Sequence, residues 1–381
     1  MFRARLNPDY PISVCPSAPH RAVLGLLPIA LGYTRSRAFM GFLENDLKAS
    51  KPEDIVRIST YHYVHTVLAS AFDNAPELRA SIPRDLEIYF AEMQIANLRR
   101  NEKFLQQLKE IGEKFADRGI EGIVLKGGAE LVAPAHKNPG IRFLSDLDIL
   151  VSNEDIDAAS YALQELGGIK KQDGPDQSAR HHLPQIFSPD WAGPVELHKR
   201  LGGETKDEPL PARVVIENSR ASHLRGILVP TNEHRFIHMI LHAKADGDSI
   251  KDRSISPRDC LDFELMSAAF SKDVKMNTSA LFQKYNRGNS FSTLQLNTEL
   301  LFGEKSSASF ERDAKTTLLA LNLFGRPKYR QLLYGLKMTR FRLWQFLSNP
   351  RRRKHYLERI QDSEIRRKFL SIHSNTSRKL Q

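Results

Sequence analysis

The chain predicts an α+β fold: a small mixed β-sheet flanked by helices, with an N-terminal helical lead-in and a C-terminal helical domain. Three observations carry that expectation. Apolar residues recur at helical spacing between 52 and 117, and short apolar runs bounded by Gly and Pro follow between 119 and 198. After Pro230 the strand signals give way to helical ones. With 381 residues and 41% hydrophobic content, the chain is long enough for two or three domains of ordinary size.

Residues 1–39 carry five arginines and one acid, Asp9, without the ordered basic, apolar and small regions of a targeting peptide. They are read as a poorly ordered basic arm. The helical lead-in, 40–118, contains expected helices at Pro52–Phe72 and Arg84–Asp117. In the second, Leu86, Phe90, Met93, Ile95, Phe104, Leu108 and Ile111 supply the periodicity and Gly119 the stop. The sheet domain, 119–229, begins with a strand at Gly122–Leu125, the turn Lys126-Gly127-Gly128 and a short helix over Ala129–Ala135. A strand is expected at Phe143–Val151, a helix from Glu154-Asp155 to Leu166, and a strand at Ile169–Gln172. A hairpin then pairs Gln185–Phe187 with Pro194–His198. The helical domain, 230–325, has expected helices at Asn232–Ala245, Arg258–Phe270, Ser279–Tyr285 and Ala314–Phe324.

The formal charge is +11, but it is unevenly placed. The basic helical tail, 326–381, holds 16 Lys and Arg against 3 acids, a net +13, which leaves −2 for everything before it. With Trp344 and Phe346 beside Arg351–Lys354, the tail suits nucleic acid, an anionic membrane surface or plain solvent. Two cysteines, Cys15 and Cys260, exclude a disulfide framework and any CxxC zinc signature, so a reducing cytoplasmic setting is expected, peripheral to a membrane if the tail binds one. No stretch reaches the roughly 20 apolar residues of a membrane span.

Asp146 and Asp148 stand two apart among Leu144, Leu147, Ile149 and Leu150, so on a strand both carboxylates project from one face. Adjacent carboxylates repel unless a cation sits between them, and hard oxygen ligands suit Mg²⁺. Gly127 and Gly128 let backbone N–H groups approach phosphate oxygens, and Lys126 adds positive charge. Glu196 occupies an alternating strand position and can supply a third carboxylate, with His198 on its face. His238 and His242 have metal-ligand spacing but no evident third ligand, and read as core or surface histidines. Arg258, Asp259 and Asp262, in the helix beginning near Pro257, could face the cleft from the helical domain, but read first as a solvated helix face with a salt bridge.

The ordered set of Leu125-Lys126-Gly127, Arg142 four before Asp146, Asp146-x-Asp148 and Glu196-Leu197-His198 resembles the uncharacterised bacterial nucleotidyltransferase family of the DNA polymerase β-like superfamily. The likeness is close over about 85–205 and looser to about 270. It implies transfer of a nucleoside monophosphate from an NTP to a hydroxyl acceptor, with Mg²⁺ or Mn²⁺ as cofactor. It also implies that Gly127 and Gly128 form the phosphate-holding turn, that Asp146 and Asp148 bind metal, that Glu196 is the third acid, and that Arg142 falls on the family's arginine. Lys126, Arg142 and His198 are the expected nucleotide and phosphate contacts. His136 and Lys199 stand where the family often has aromatic residues. Two rival readings are a non-catalytic nucleotide- or nucleic-acid-binding protein on the same fold, and a toxin-like transferase modifying tRNA.

Overall fold

The computed structural model describes residues 12, 15, 17–171, 182–201, 209–243, 256–285 and 287–303, all within the unit Met1–Gly325. The basic tail and the helix expected at Ala314–Phe324 lie outside the described residues.

The chain enters through helix α1 (Ala18–Ala30), whose residues from Ala22 to Ala30 are all buried. The poorly ordered arm expected over 1–39 is therefore corrected across this stretch. The apolar run Val23–Leu31 is too short for a bilayer but suits a core helix. Helices α2 (Arg37–Lys48), α3 (Pro52–Tyr61) and α4 (Ala69–Asn74) follow, with a 3₁₀ turn at Pro76–Ser81. The single helix expected over Pro52–Phe72 is thus two. The break comes at Tyr63, which adopts φ 55° while its N–H bonds Thr60 O and that of Val64 bonds Ser59 O. That is a Schellman end, with tyrosine where glycine usually sits.

Helix α5 (Arg84–Ala116) is long enough to serve two layers. Strand β1 (Gly122–Val124), helix α6 (Lys126–Val132), strand β2 (Leu147–Leu150) and helix α7 (Ile156–Glu165) come next. Strands β3 (Ile169–Lys170), β4 (Ile186–Phe187) and β5 (Val195–His198) lead to helix α8 (Ala212–Asn218), β6 (Arg220–Ala221) and β7 (Ile227–Val229). The strands form one mixed sheet in the order β3-β4-β5-β2-β1-β7-β6. At its centre β2 runs antiparallel to β1 and parallel to β5, and the expected β4–β5 hairpin is antiparallel. Helices α9 (Asn232–His242), α10 (Pro257–Ala269), α11 (Lys272–Lys284) and α12 (Gly288–Phe302) complete the described fold.

Two cores explain the layering. One joins the C-terminal half of α5, α6 and α7 to the sheet face bearing Leu147, Ile149, Val195 and Leu197. The other joins α1–α4 and the start of α5 to α9–α12, so the helices before and after the sheet pack on each other. Arg35 strengthens that junction by donating to Phe302 O at 2.8 Å and Gly303 O at 3.1 Å, which satisfies carbonyls at the C-terminus of α12. Because side chains alternate along a strand, Asp148, Glu196 and His198 face away from the α5–α7 layer. No helix among the described residues is long and apolar enough to cross a membrane.

Candidate active site

The site is assembled by β2 and β5. Their parallel register places Asp148 opposite Glu196 and Leu150 opposite His198, so the Asp-x-Asp and Glu-Leu-His segments present their polar side chains side by side. Asp146 precedes β2 rather than lying inside it, since the strand is shorter than the expected Phe143–Val151. Its carboxylate accepts from Ser145 Oγ at 2.8 Å and is partly exposed.

Asp148 is buried, and one of its oxygens accepts from both Lys126 Nζ and His198 Nε2, each at 2.7 Å. His198 Nε2 also lies 3.6 Å from Glu196, whose other oxygen accepts from Gln185 Nε2 at 2.8 Å. These contacts set the protonation states. Burial alone would raise the Asp148 carboxyl, but the His198 hydrogen bond and the Lys126 ammonium outweigh it and hold the group well below the usual carboxylate range. The His198 contact likewise lowers Glu196 against its burial. His198 is itself raised, because bonds to Asp148 and Glu196 overcome the desolvation of its charged form. Asp146 goes the other way: burial, then repulsion from Asp148, raises it, and Glu196 adds to the repulsion. Three carboxylates therefore share the field of one lysine and one imidazole.

The donor set can be tested against a divalent ion. Asp148, Glu196 and His198 offer ligand atoms that all lie within 4.8 Å of one another. Two carboxylates and an imidazole suit Mn²⁺ directly, and the carboxylates alone suit Mg²⁺ with His198 orienting Asp148 from behind. His238 and His242 fall outside this group, with His238 buried and His242 exposed. Burial, with Lys126 next, pushes His238 down to about 3 and keeps it neutral.

The expected glycine turn is different in kind. Lys126, Gly127 and Gly128 form the first turn of α6 itself, and the left-handed residue is Lys126, at φ 48°. The glycines are there for close approach. A Cβ on Gly127 would meet Arg142 Nη1 at 2.3 Å, and one on Gly128 would meet Val124 Cγ2 at 2.5 Å. Lys126 carries the backbone strain, and its side chain points at Asp148 rather than away from the carboxylates.

Arg142 is also placed otherwise than its motif position suggests. Its Nε and Nη2 form a two-pronged pair with Asp262 of α10, at 2.9 and 2.8 Å, with side-chain exposures of 11% and 9%. Nη1 is buried against Gly127 with no hydrogen-bond partner among the described residues. Asp262, expected on a solvated face, is thus a buried structural anion, and Arg142 is largely engaged by protein.

Residues that motif reading passed over hold the loop into Asp146. On α5, Asn97 Nδ2 donates to Gly140 O and Arg142 O at 2.8 and 3.0 Å, and Asn101 Nδ2 to Pro139 O and Arg142 O at 2.6 and 3.0 Å. Further along, Gln107 donates to Gly193 O at 3.0 Å and accepts from Ala192 N at 3.1 Å, fixing the turn before β5. The available signal was two asparagines, four apart, inside the otherwise apolar stripe of α5.

No curated protein matches the chain. A family model described as "Uncharacterised nucleotidyltransferase" matches residues 48–302, more than half of the sequence and every residue of the site. The chain belongs to that family of nucleotidyltransferases.

Proposed function

We propose that the protein is a divalent-metal-dependent nucleotidyltransferase that transfers a nucleoside monophosphate from an NTP to a hydroxyl acceptor. The observation that carries this reading is the parallel register of β2 and β5, which brings Asp148 and Glu196 face to face beside Asp146. Mg²⁺ or Mn²⁺ held there by Asp148 and Glu196, with Asp146 at the rim, would neutralise phosphate charge and lower the pKa of the attacking hydroxyl. His198 orients Asp148 through its 2.7 Å bond. Glu196, kept ionised, is placed to accept the hydroxyl proton. Lys126 sits 2.7 Å from Asp148 and supplies a cation within reach of a phosphate bound at the same place. Gly127 and Gly128 contribute by letting α6 start close to β1, which sets where Lys126 points. The net +13 of residues 326–381 favours an anionic partner, nucleic acid or membrane surface, acting on or near the acceptor.

The test is incubation of the full chain with labelled NTPs and Mg²⁺ or Mn²⁺, with and without cell extract, scoring label on RNA, protein and small molecules. Asp148→Asn should cut transfer by a factor of about 10² to 10³ or more, the scale of losing one preorganised charge at a reacting phosphate. Asp146→Asn and Glu196→Gln should follow. Transfer that persists in Asp148→Asn would refute the assignment.

A further inference from the structure

Among the described residues, the non-glycine positions with positive φ are Tyr63 and Lys126. Such conformations cost about 1–3 kcal/mol each and persist where the surroundings demand them. Lys126 uses its strain to reach Asp148. Tyr63 has no such explanation in the core, for it is 47% exposed and ends α3 where glycine would serve without cost.

What Tyr63 touches is informative. Its ring stacks on Phe143, with centroids 5.6 Å apart and planes 16° from parallel, and Phe143 lies three residues before Asp146. Over the same Tyr63 ring, 5.5 Å from its centroid, sits the guanidinium of Arg258. Arg258 donates through Nη2 to Phe143 O at 3.0 Å. It forms no ion pair with a carboxylate among the described residues, although it stands one turn before Asp262 on α10. The contrast with Arg142 is direct: that arginine has its own carboxylate, and Arg258 does not. Burial and then the neighbouring Arg142 disfavour the charge on Arg258, while Asp262, Asp259 and, last, Asp146 favour it through space. A partly buried arginine beside another arginine, held by an aromatic shelf and making no direct ion pair among the described residues, can receive an anionic ligand.

We propose that Arg258, held in place by the strained Tyr63 and by Phe143, binds the polyphosphate of the substrate nucleotide, the role that its position in the motif would give to Arg142. The inference rests on the nucleotidyltransferase reading and names a phosphate contact from the helical layer after the sheet. Tyr63 acts through Arg258 and is a positioning residue.

The test is calorimetric titration of the full chain with inorganic tripolyphosphate in the presence of Mg²⁺, alongside thermal unfolding of each variant. Arg258→Gln should weaken binding about tenfold or more, the scale of one charge-assisted hydrogen bond. Arg258→Lys should recover part of it, because the charge returns but the two-pronged fork does not. Tyr63→Gly keeps the left-handed turn and should weaken binding a few-fold without a matching fall in Tm. If the wild-type chain binds tripolyphosphate with dependence on Asp148, and both Arg258 variants bind equally well, this inference is overturned while the catalytic reading stands. If the wild-type chain binds neither tripolyphosphate nor ATP, both fall together. A Tyr63→Gly variant that loses stability but not affinity would reduce Tyr63 to a packing residue.

Discussion

Two charged assemblies flank the same short stretch of chain, and they are built on opposite principles. Arg142 and Asp262 form a closed pair, one cation to one anion, with two hydrogen bonds and little exposure. Four residues after Arg142 comes Asp146, which with Asp148 and Glu196 outnumbers the Lys126 and His198 charges that face them; burial first, and then this like charge, push Asp146 up. In the pair the Arg142 charge is already met by Asp262, whereas an excess of carboxylate on a half-open face is stabilised by a bound cation. Spacing in sequence puts Arg142 and Asp146 into one motif. Only the partners supplied by α10 and β5 separate the structural group from the site.

The comparison is broken most forcefully at Asp262. Asp262→Asn leaves the Arg142 guanidinium buried without its counter-ion, and loss of one partner of such a pair costs about 3–5 kcal/mol. Chemical denaturation should show that loss, while a joint replacement, Arg142→Met with Asp262→Leu, should be far less damaging than the single change. Had Arg142 instead been a phosphate ligand only loosely tied to α10, Asp262→Asn would scarcely alter stability.

Acid titration of the same pair gives a smaller effect with a definite sign. Burial would raise Asp262, but the Arg142 charge and hydrogen bonds hold it below its ordinary value. A depressed carboxyl contributes stability that is fully present above its unfolded pKa, about 3.9, and is lost as pH falls through the folded value beneath it. The stability advantage of the wild type over Asp262→Asn should therefore be flat above about pH 5 and shrink below about pH 4. An advantage that grew on acidification would contradict the closed-pair description.

How far the sequence could anticipate this follows from which interactions are local. The strand at 122–124, the β4–β5 hairpin and the long α5 are set by periodicity and by Gly and Pro within a few residues, and they appear close to where the pattern places them, whereas the helix expected from Ala129 begins at Lys126. Glu196 could be named as a third acid from its alternating strand position and the family resemblance, but alternation within one strand does not say which strands are neighbours, and the Asp148–Glu196 pairing needed the β2–β5 register. The buried α1 was not, because its apolar run, crossed by Pro28, looks the same whether it packs or not until α2–α4 and α12 supply the cover. Nor could the sequence show that Lys126 rather than a glycine takes the left-handed backbone, since that depends on how closely α6 approaches β1 and Arg142. Arg142 and Arg258 could not be told apart either, because Asp262 bonds the arginine 120 residues away and not the one four residues before it on its own helix.

The smallest expected effect sharpens the comparison instead of breaking it. Asn101 and Asn97 hold Pro139, Gly140 and Arg142 from beneath, and that loop carries the closed pair at its end and delivers the chain to Asp146. Asn101→Ala removes the donor to Pro139 O, while Arg142 O keeps its bond from Asn97. The expected cost is about 1 kcal/mol, the ordinary net value of one hydrogen bond, measured by denaturant midpoint at unchanged slope. The two assemblies should nonetheless respond unequally. The Arg142–Asp262 pair is clamped by its own bonds and keeps its acid profile, whereas Asp146, partly exposed and bonded through its side chain to Ser145 Oγ, moves with the loop. Transfer activity should then drop by more than the stability loss accounts for, since misplacement on the order of 1 Å at a reacting centre can cost about 10²-fold. Equal, small losses in both would mean that the loop holds its course without α5.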